Sequence, residues 1–370
     1  TSGQGRTFPT WGALIIILST MTWARAAEPQ IVENPKKPPS PNAGRVVPLK
    51  EIARITDEAG KFFFVQPLAV FAGADGSVYV QEYKQFLKFG PDGKYLGNLL
   101  KRGEGPGEFN DNLTDVIVRR DDILFYSSNN LKFVRIDPEG NLLEDRRFAQ
   151  TPFMNLLGLR GRRFFFLKFE RGEFPRVNGI YENNLRLVIV PDKGDMIETS
   201  HLMPMTSARI FRTGSVGSMT ISRAIPEWVD DRDVFLFHSP EYLIKHLDLE
   251  TGEVRAFRRD YDRVKYDYKP PKGYPEEVIP KYHNDLCRLL WRNDRLWAVT
   301  STFDPKKGIL VDVFSREGTC LDNFYLPLFK IRRNNPQVYA PMAIHGDFLY
   351  LLEADEDDLI SLVKYEIGGE

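Results

Sequence analysis

A two-strand unit recurs six times along this chain, and that recurrence limits the fold more than any other feature. Each copy sets a short apolar run after an Asp or Gly turn, then a second run ending in an Asp-x-x-Gly-type turn. The plainest copy is Asp75-Gly76-Ser77-Val78-Tyr79-Val80, followed by Leu87-Lys88-Phe89-Gly90-Pro91-Asp92-Gly93-Lys94-Tyr95-Leu96. The first runs begin near Val78, Ile123, Phe164, Val234, Leu296 and Phe348, at spacings of 45, 41, 70, 62 and 52 residues. A four-stranded propeller blade repeats about every 40–50 residues. The first two spacings match, and the longer ones imply insertions. Six units predict an all-β, six-bladed β-propeller of four-stranded antiparallel blades over residues 46–370.

The sixth unit supplies three strands before Glu370, and the apolar stretch 46–55 is unassigned. That stretch is expected to be the missing fourth strand, joining the N-terminal strand to the last blade and removing the open sheet edge. The turns Gly90-Pro91-Asp92-Gly93-Lys94 and Asp137-Pro138-Glu139-Gly140-Asn141 match between the first two units. Their fourth-place glycine permits the positive φ of a tight hairpin turn.

Upstream of the repeats, Arg6 precedes an apolar run from Trp11 to about Trp23, and Ala24-Arg25-Ala26 has the small-x-small form of a cleavage site. Residues 1–26 are expected to be a cleaved export signal cut after Ala26. The run is too short for a membrane span, which needs roughly 20 residues. Residues 27–45, with Pro29, Pro35, Pro38, Pro39 and Pro41, are expected to be an extended linker. The protein is therefore expected in the periplasm or outside the cell, with no stable membrane span. Net charge is −1, and removing the leader takes Arg6 and Arg25 and no acid, leaving −3. That balance gives no footprint for nucleic acid or an anionic membrane. Cys287 and Cys320 both fall in the fifth unit, where a single disulfide or two buried thiols are both open.

Between the first and second units lies Lys101-Arg102-Gly103-Glu104-Gly105-Pro106-Gly107-Glu108-Phe109. It resembles the Gly-x-Gly-Pro-Gly-Glu-Phe connection of secreted bacterial six-bladed propellers related to NHL repeats. Its glycines permit tight turns, Pro106 stiffens them, and Glu108 is placed to bond loop amides. No Lys-Ser/Thr pair or helix follows, so a P-loop is excluded. The chain is similar, more distantly, to propellers that act as lyases or calcium-dependent esterases. That likeness implies metal ligands drawn from several blades, with no residue-by-residue match here.

Propellers bind ligands at a channel mouth. The loops leading into inner strands and those joining second to third strands offer Asp111, Asn112, His238, His283, Asp285 and Asp355. His283 and Asp285, two apart, could share one side of a strand as ligands or an acid–base pair; capping and local amide bonding are the alternative. Acids around Asp355 have the oxygen ligands calcium prefers, without EF-hand spacing, so a solvated hairpin tip is the simpler reading. Insertions at 203–221, with Arg209 and Arg212, and at 258–284, rich in Tyr, suit a partner surface. No His-Glu-x-x-His or Gly-x-Ser-x-Gly pattern occurs. The expected function is a monomeric module binding a protein, peptide or glycan. The alternative is a metal-dependent lyase or lactone hydrolase, with calcium as its possible cofactor.

Overall fold

The computed structural model describes residues 31–58, 60–148, 153–170, 177–212, 215–220, 224–238, 240–266, 275–329, 341–357 and 359–369. The expected signal peptide lies outside them. The described chain is all-β apart from one 3-10 turn, Glu276–Val278, and its strands form six small antiparallel sheets in a ring. This is a six-bladed β-propeller. Blade one runs Pro67–Ala72, Val78–Glu82, Phe86–Phe89, Tyr95–Asn98, and blade two Asp115–Val118, Ile123–Ser127, Lys132–Ile136, Leu142–Arg147. Blades three, four and five start at inner strands Phe153–Arg160, Ala224–Trp228 and Leu286–Arg292. Blade six has Met342–His345, Phe348–Ala354 and Ile360–Ile367, and Leu49–Ile55 pairs antiparallel with its third strand. The expected closure of the ring is therefore present.

The apolar runs are continuous because each blade is buried on both faces. Successive strand side chains point to opposite faces, so one run feeds two cores. In blade three Phe164 and Phe166 pack toward blade two, while Phe165 and Leu167 pack toward blade four. In blade four Val234 and Leu236 face blade three, and Phe235 and Phe237 face blade five. Six apolar clusters of this kind, one between each neighbouring pair of blades, run round the ring.

Three stretches depart from expectation. Part of the segment expected as a linker is built into the sheets. Ile31–Asn34 adds a parallel fifth strand to blade four, and Arg45–Val46 adds one to blade five. Asn34 secures the first by donating to Gly318 O at 2.8 Å and accepting from Cys320 N at 2.7 Å. The insertion at 203–221 is not a plain loop: Ile197–Arg212 and Ser215–Thr220 are strands, so blade three carries an elongated outer hairpin. The insertion at 258–284 meets that hairpin, with Val278 packed against Ala208 and Ile210. The two cysteines are free thiols, each pushed up to about 12 chiefly by burial. Cys287 lies on the first strand of blade five and Cys320 on the fourth. Three strand spacings, roughly 14 Å, separate such positions, beyond the reach of a disulfide.

The Gly-x-Gly-Pro-Gly-Glu-Phe connection is a structural clasp. Glu108 accepts a hydrogen bond from Gly105 N at 2.9 Å. A Cβ on Gly103, whose φ is +150°, would sit 2.1 Å from the same carboxylate. The buried Lys132 of blade two donates to Gly105 O at 3.0 Å and Glu108 O at 2.7 Å, and pairs with Asp145 at 3.1 Å. Asp145 in turn accepts from Gly107 N at 2.6 Å. Lys132→Met keeps the length of the side chain but removes both of its hydrogen bonds and the ion pair to Asp145. We expect a loss of about 2–3 kcal/mol, read from the denaturant midpoint; an unchanged midpoint would show that the clasp does not hold blade two.

Candidate functional site

Each inner strand runs along the channel to a turn that leads outward into the second strand. These turns gather at one end of the channel. The loops that bring the chain into each inner strand gather at the other.

The residues singled out from sequence belong mainly to the inter-blade-loop end. Asp111 accepts a hydrogen bond from Ser127 Oγ, and its carbonyl accepts from Arg102. Asn112 lies beside it, half-buried. Asp285 is buried and takes Arg263 Nε at 3.1 Å. Burial pushes its carboxyl up to about 6, against the pull of Arg263. The His283 ring instead lies against Tyr266, 4.9 Å between centroids, so the pair is held by different neighbours. Asp355 sits at an exposed hairpin tip and accepts from the amides of Asp357 and Leu359 at 3.0 and 2.8 Å. Arg209 lies on the long outer strand of blade three, opposite Gly179. Arg212 and His238 lie in strands, but their side chains fall outside the described residues. Among the described residues no group of three or more His, Cys, Asp or Glu is arranged to hold a metal ion.

At the opposite end, turns from five blades surround a cavity of about 860 Å³. Ala72–Ala74 comes from blade one, 118–122 and Arg135 from blade two, Arg160 from blade three, 228–232 from blade four and His345 from blade six. The sequence signal was present but not singled out. Blades two and four turn through Arg119-Arg120-Asp121-Asp122 and Asp230-Asp231-Arg232-Asp233, where blade one has Gly73-Ala74-Asp75-Gly76.

A rigid ionic frame holds this mouth. Arg119 grips Asp122 with two bonds, Nε to Oδ1 at 2.6 Å and Nη2 to Oδ2 at 2.5 Å. Its Nη1 reaches blade three at Leu159 O, 3.0 Å, and lies 3.6 Å from Asp231 of blade four. Burial opposes the Arg119 charge, but Asp122 outweighs it and raises the pKa. Asp230 closes its turn by accepting from the amides of Arg232 and Asp233 at 2.7 and 2.9 Å. Arg232 is tied back to Asp248 at 2.6 Å; burial of Asp248 is overcome by that guanidinium, which holds it down to about 2. The Trp228 indole donates to Leu157 O across the blade boundary.

No protein-family profile matches the chain, and no curated protein matches it significantly. Solved structures do share its fold. One is a Bacteroides fragilis protein described as exported, with a TM-score of 0.54 at 10% identity over 92% of this chain and 100% of that one. Another is a DUF4221-family member from Bacteroides vulgatus, with a TM-score of 0.43 at 13% identity over 87% and 98%. At 10% identity the likeness to the first bears on the fold alone. Among the described residues no helix is long and apolar enough to cross a membrane.

Just behind Trp228, Glu227 is mostly buried against the inner strand of blade five. It accepts from Trp291 N at 3.2 Å and lies 3.6 Å from Arg288. Burial pushes its carboxyl up to about 7, only partly offset by Arg288. Between its ordinary pKa of 4.5 and about 7 the folded chain holds this proton more tightly than the unfolded chain does. Unfolding then releases the proton, and stability falls as pH rises across that window. Melting curves at pH 5 and pH 8 are expected to show this loss, and Glu227→Gln is expected to shrink it. Equal losses in both proteins would remove Glu227 as the source.

Proposed function

We propose that this protein is an exported, NHL-like propeller that acts as a monomeric binding module. Its ligand sits at the turn end of the central channel. One observation carries the reading: side chains from five blades converge on a single cavity of about 860 Å³. That volume falls in the range of small-molecule and cofactor sites, about 300–1,000 Å³. The ionic frame beneath it is already formed, so a ligand does not have to order the mouth, and preorganisation of this kind lowers the free-energy cost of binding. Export is supported by the signal-like N-terminal sequence and by a fold relative described as exported. The NHL-like kinship rests on the clasp between blades one and two.

The proposal is tested by plugging one end at a time. Ala74 is exposed on the rim of the turn end, so Ala74→Trp fills the mouth without disturbing a core. Asn112→Trp crowds the opposite end. Wild type and both variants are applied to glycan and peptide arrays. Signals lost in Ala74→Trp and retained in Asn112→Trp are expected. The reverse pattern, or an array on which wild type binds nothing beyond Ala74→Trp, would overturn the assignment.

A further inference from the structure

The charges at this mouth are not matched evenly. Asp122 is gripped by Arg119, and Asp230 is occupied by two turn amides. Three guanidinium groups lining the same cavity have no hydrogen-bond partner among the described residues. Arg120 is exposed on the rim. Arg135 lies 3.6 Å from Asp122 and 3.5 Å from Glu144, beyond well-formed bonds, and its Nε is buried without an acceptor. Arg160 comes only within 3.7 Å of Glu250. Guanidinium groups present rigid, forked donors that suit carboxylate and phosphate oxygens, and they are weakly hydrated. Three of them line one cavity, and their nearest carboxylates stand at 3.5 Å or more where any is within ion-pair range.

The acids beside them narrow the ligand further. Asp121 is exposed with no hydrogen-bond partner among the described residues, and Asp231 is 63% exposed at the side chain and only 3.6 Å from Arg119. A polyanion would be repelled by these carboxylates. A ligand carrying one oxyanion on a hydroxyl-rich scaffold would satisfy both sets: its acid group takes the arginine donors and its hydroxyls donate to the aspartates. Trp228 also lines the cavity. We infer that the turn-end mouth binds an acidic saccharide, with Arg120, Arg135 and Arg160 receiving its carboxylate or phosphate and Asp121 and Asp231 accepting from its hydroxyls. The inference rests on the binding-module reading of the same cavity.

Titration calorimetry with acidic trisaccharides tests it. The panel comprises trisaccharides that carry a single acid group, one galacturonate, mannuronate or glucuronate unit on two neutral hexoses and a singly phosphorylated trisaccharide, with their methyl-esterified or neutral counterparts and free citrate and inorganic phosphate. At least one acidic trisaccharide is expected to bind wild type at least tenfold more tightly than its neutral counterpart and than the free anions. Arg120→Gln/Arg160→Gln is expected to weaken it at least tenfold, and both sites are peripheral enough to the core for the fold to persist, as circular dichroism would verify. Ala74→Trp should abolish it. Neutral and acidic forms binding equally, both blocked by Ala74→Trp, would overturn the oxyanion assignment and leave the mouth as a binding site. Acidic binding untouched by Ala74→Trp would overturn the mouth itself. Citrate or phosphate binding as tightly as the best trisaccharide would remove the sugar from the proposal, and failure of every acidic member to bind would remove the proposal entirely.

Discussion

The packing of each blade against two neighbours is the interaction on which the rest of this structure depends. A four-stranded sheet has two faces, and neither survives exposure when both are apolar. Arranging six such sheets around a channel gives every face a partner. The residues do this strand by strand: Val78 and Val80 supply the blade one–six core, while Tyr79 and Phe86 supply the blade one–two core. The ring has no terminal face to cap, in contrast to an open stack of repeats. It does need a joint, and the joint is Leu49–Ile55 on blade six, with Val47 and Ile367 closing the blade five–six core beneath it. The segment before it tightens the same joint, because its strands on blades four and five tie three successive blades to one stretch of chain.

That division of labour explains why much of the fold was legible. Two buried faces force continuous apolar runs, and hairpins between them need glycine at fixed places, as at Gly93 with φ +82° and Gly140 with φ +90°. Both signals are local. The strands at 31–34 and 45–46 escaped notice because their pairing is parallel and distant, so no turn announces them. Three of the four residues of Ile31–Asn34 are exposed, and only Asn34 is buried. Prolines at 35, 38, 39 and 41 then gave the whole stretch the look of a linker. The long hairpin of blade three was hidden for a related reason. Its outer strands are rich in Ser, Thr and Arg, so they lack the continuous apolar run that marks a strand buried between two blades.

The channel mouth was harder still. Arg119, Asp231 and Arg160 are separated by up to 112 positions and belong to three blades. Nothing in their spacing indicates that they meet. Their convergence follows from ring geometry, which places every inner-strand turn at the same end. What could be read locally was that the turns of blades two and four are dense in charge where glycine and alanine suffice in blade one. A turn that needs only to reverse the chain does not require four consecutive charged residues. The excess is intelligible as a feature of the mouth rather than of the turn.

The ionic frame also shows why the arginines at the mouth divide into two kinds. Arg119 and Arg232 are anchored by close carboxylates and bind the turns to each other and to blade four. Their charge is spent within the protein, and removing either would leave a carboxylate without its partner. Arg120, Arg135 and Arg160 line the same cavity without a carboxylate at hydrogen-bonding geometry; Arg135 and Arg160 have ion-pair contacts at 3.5–3.7 Å. A buried donor without a partner carries a desolvation cost that folding alone does not offset. Arg135 Nε is buried without a hydrogen bond, and the Glu144 carboxylate 3.5 Å away balances part of its charge. The same ring closure that makes the fold possible thus gathers, at one end, both the arginines that hold the turns and those that line the cavity.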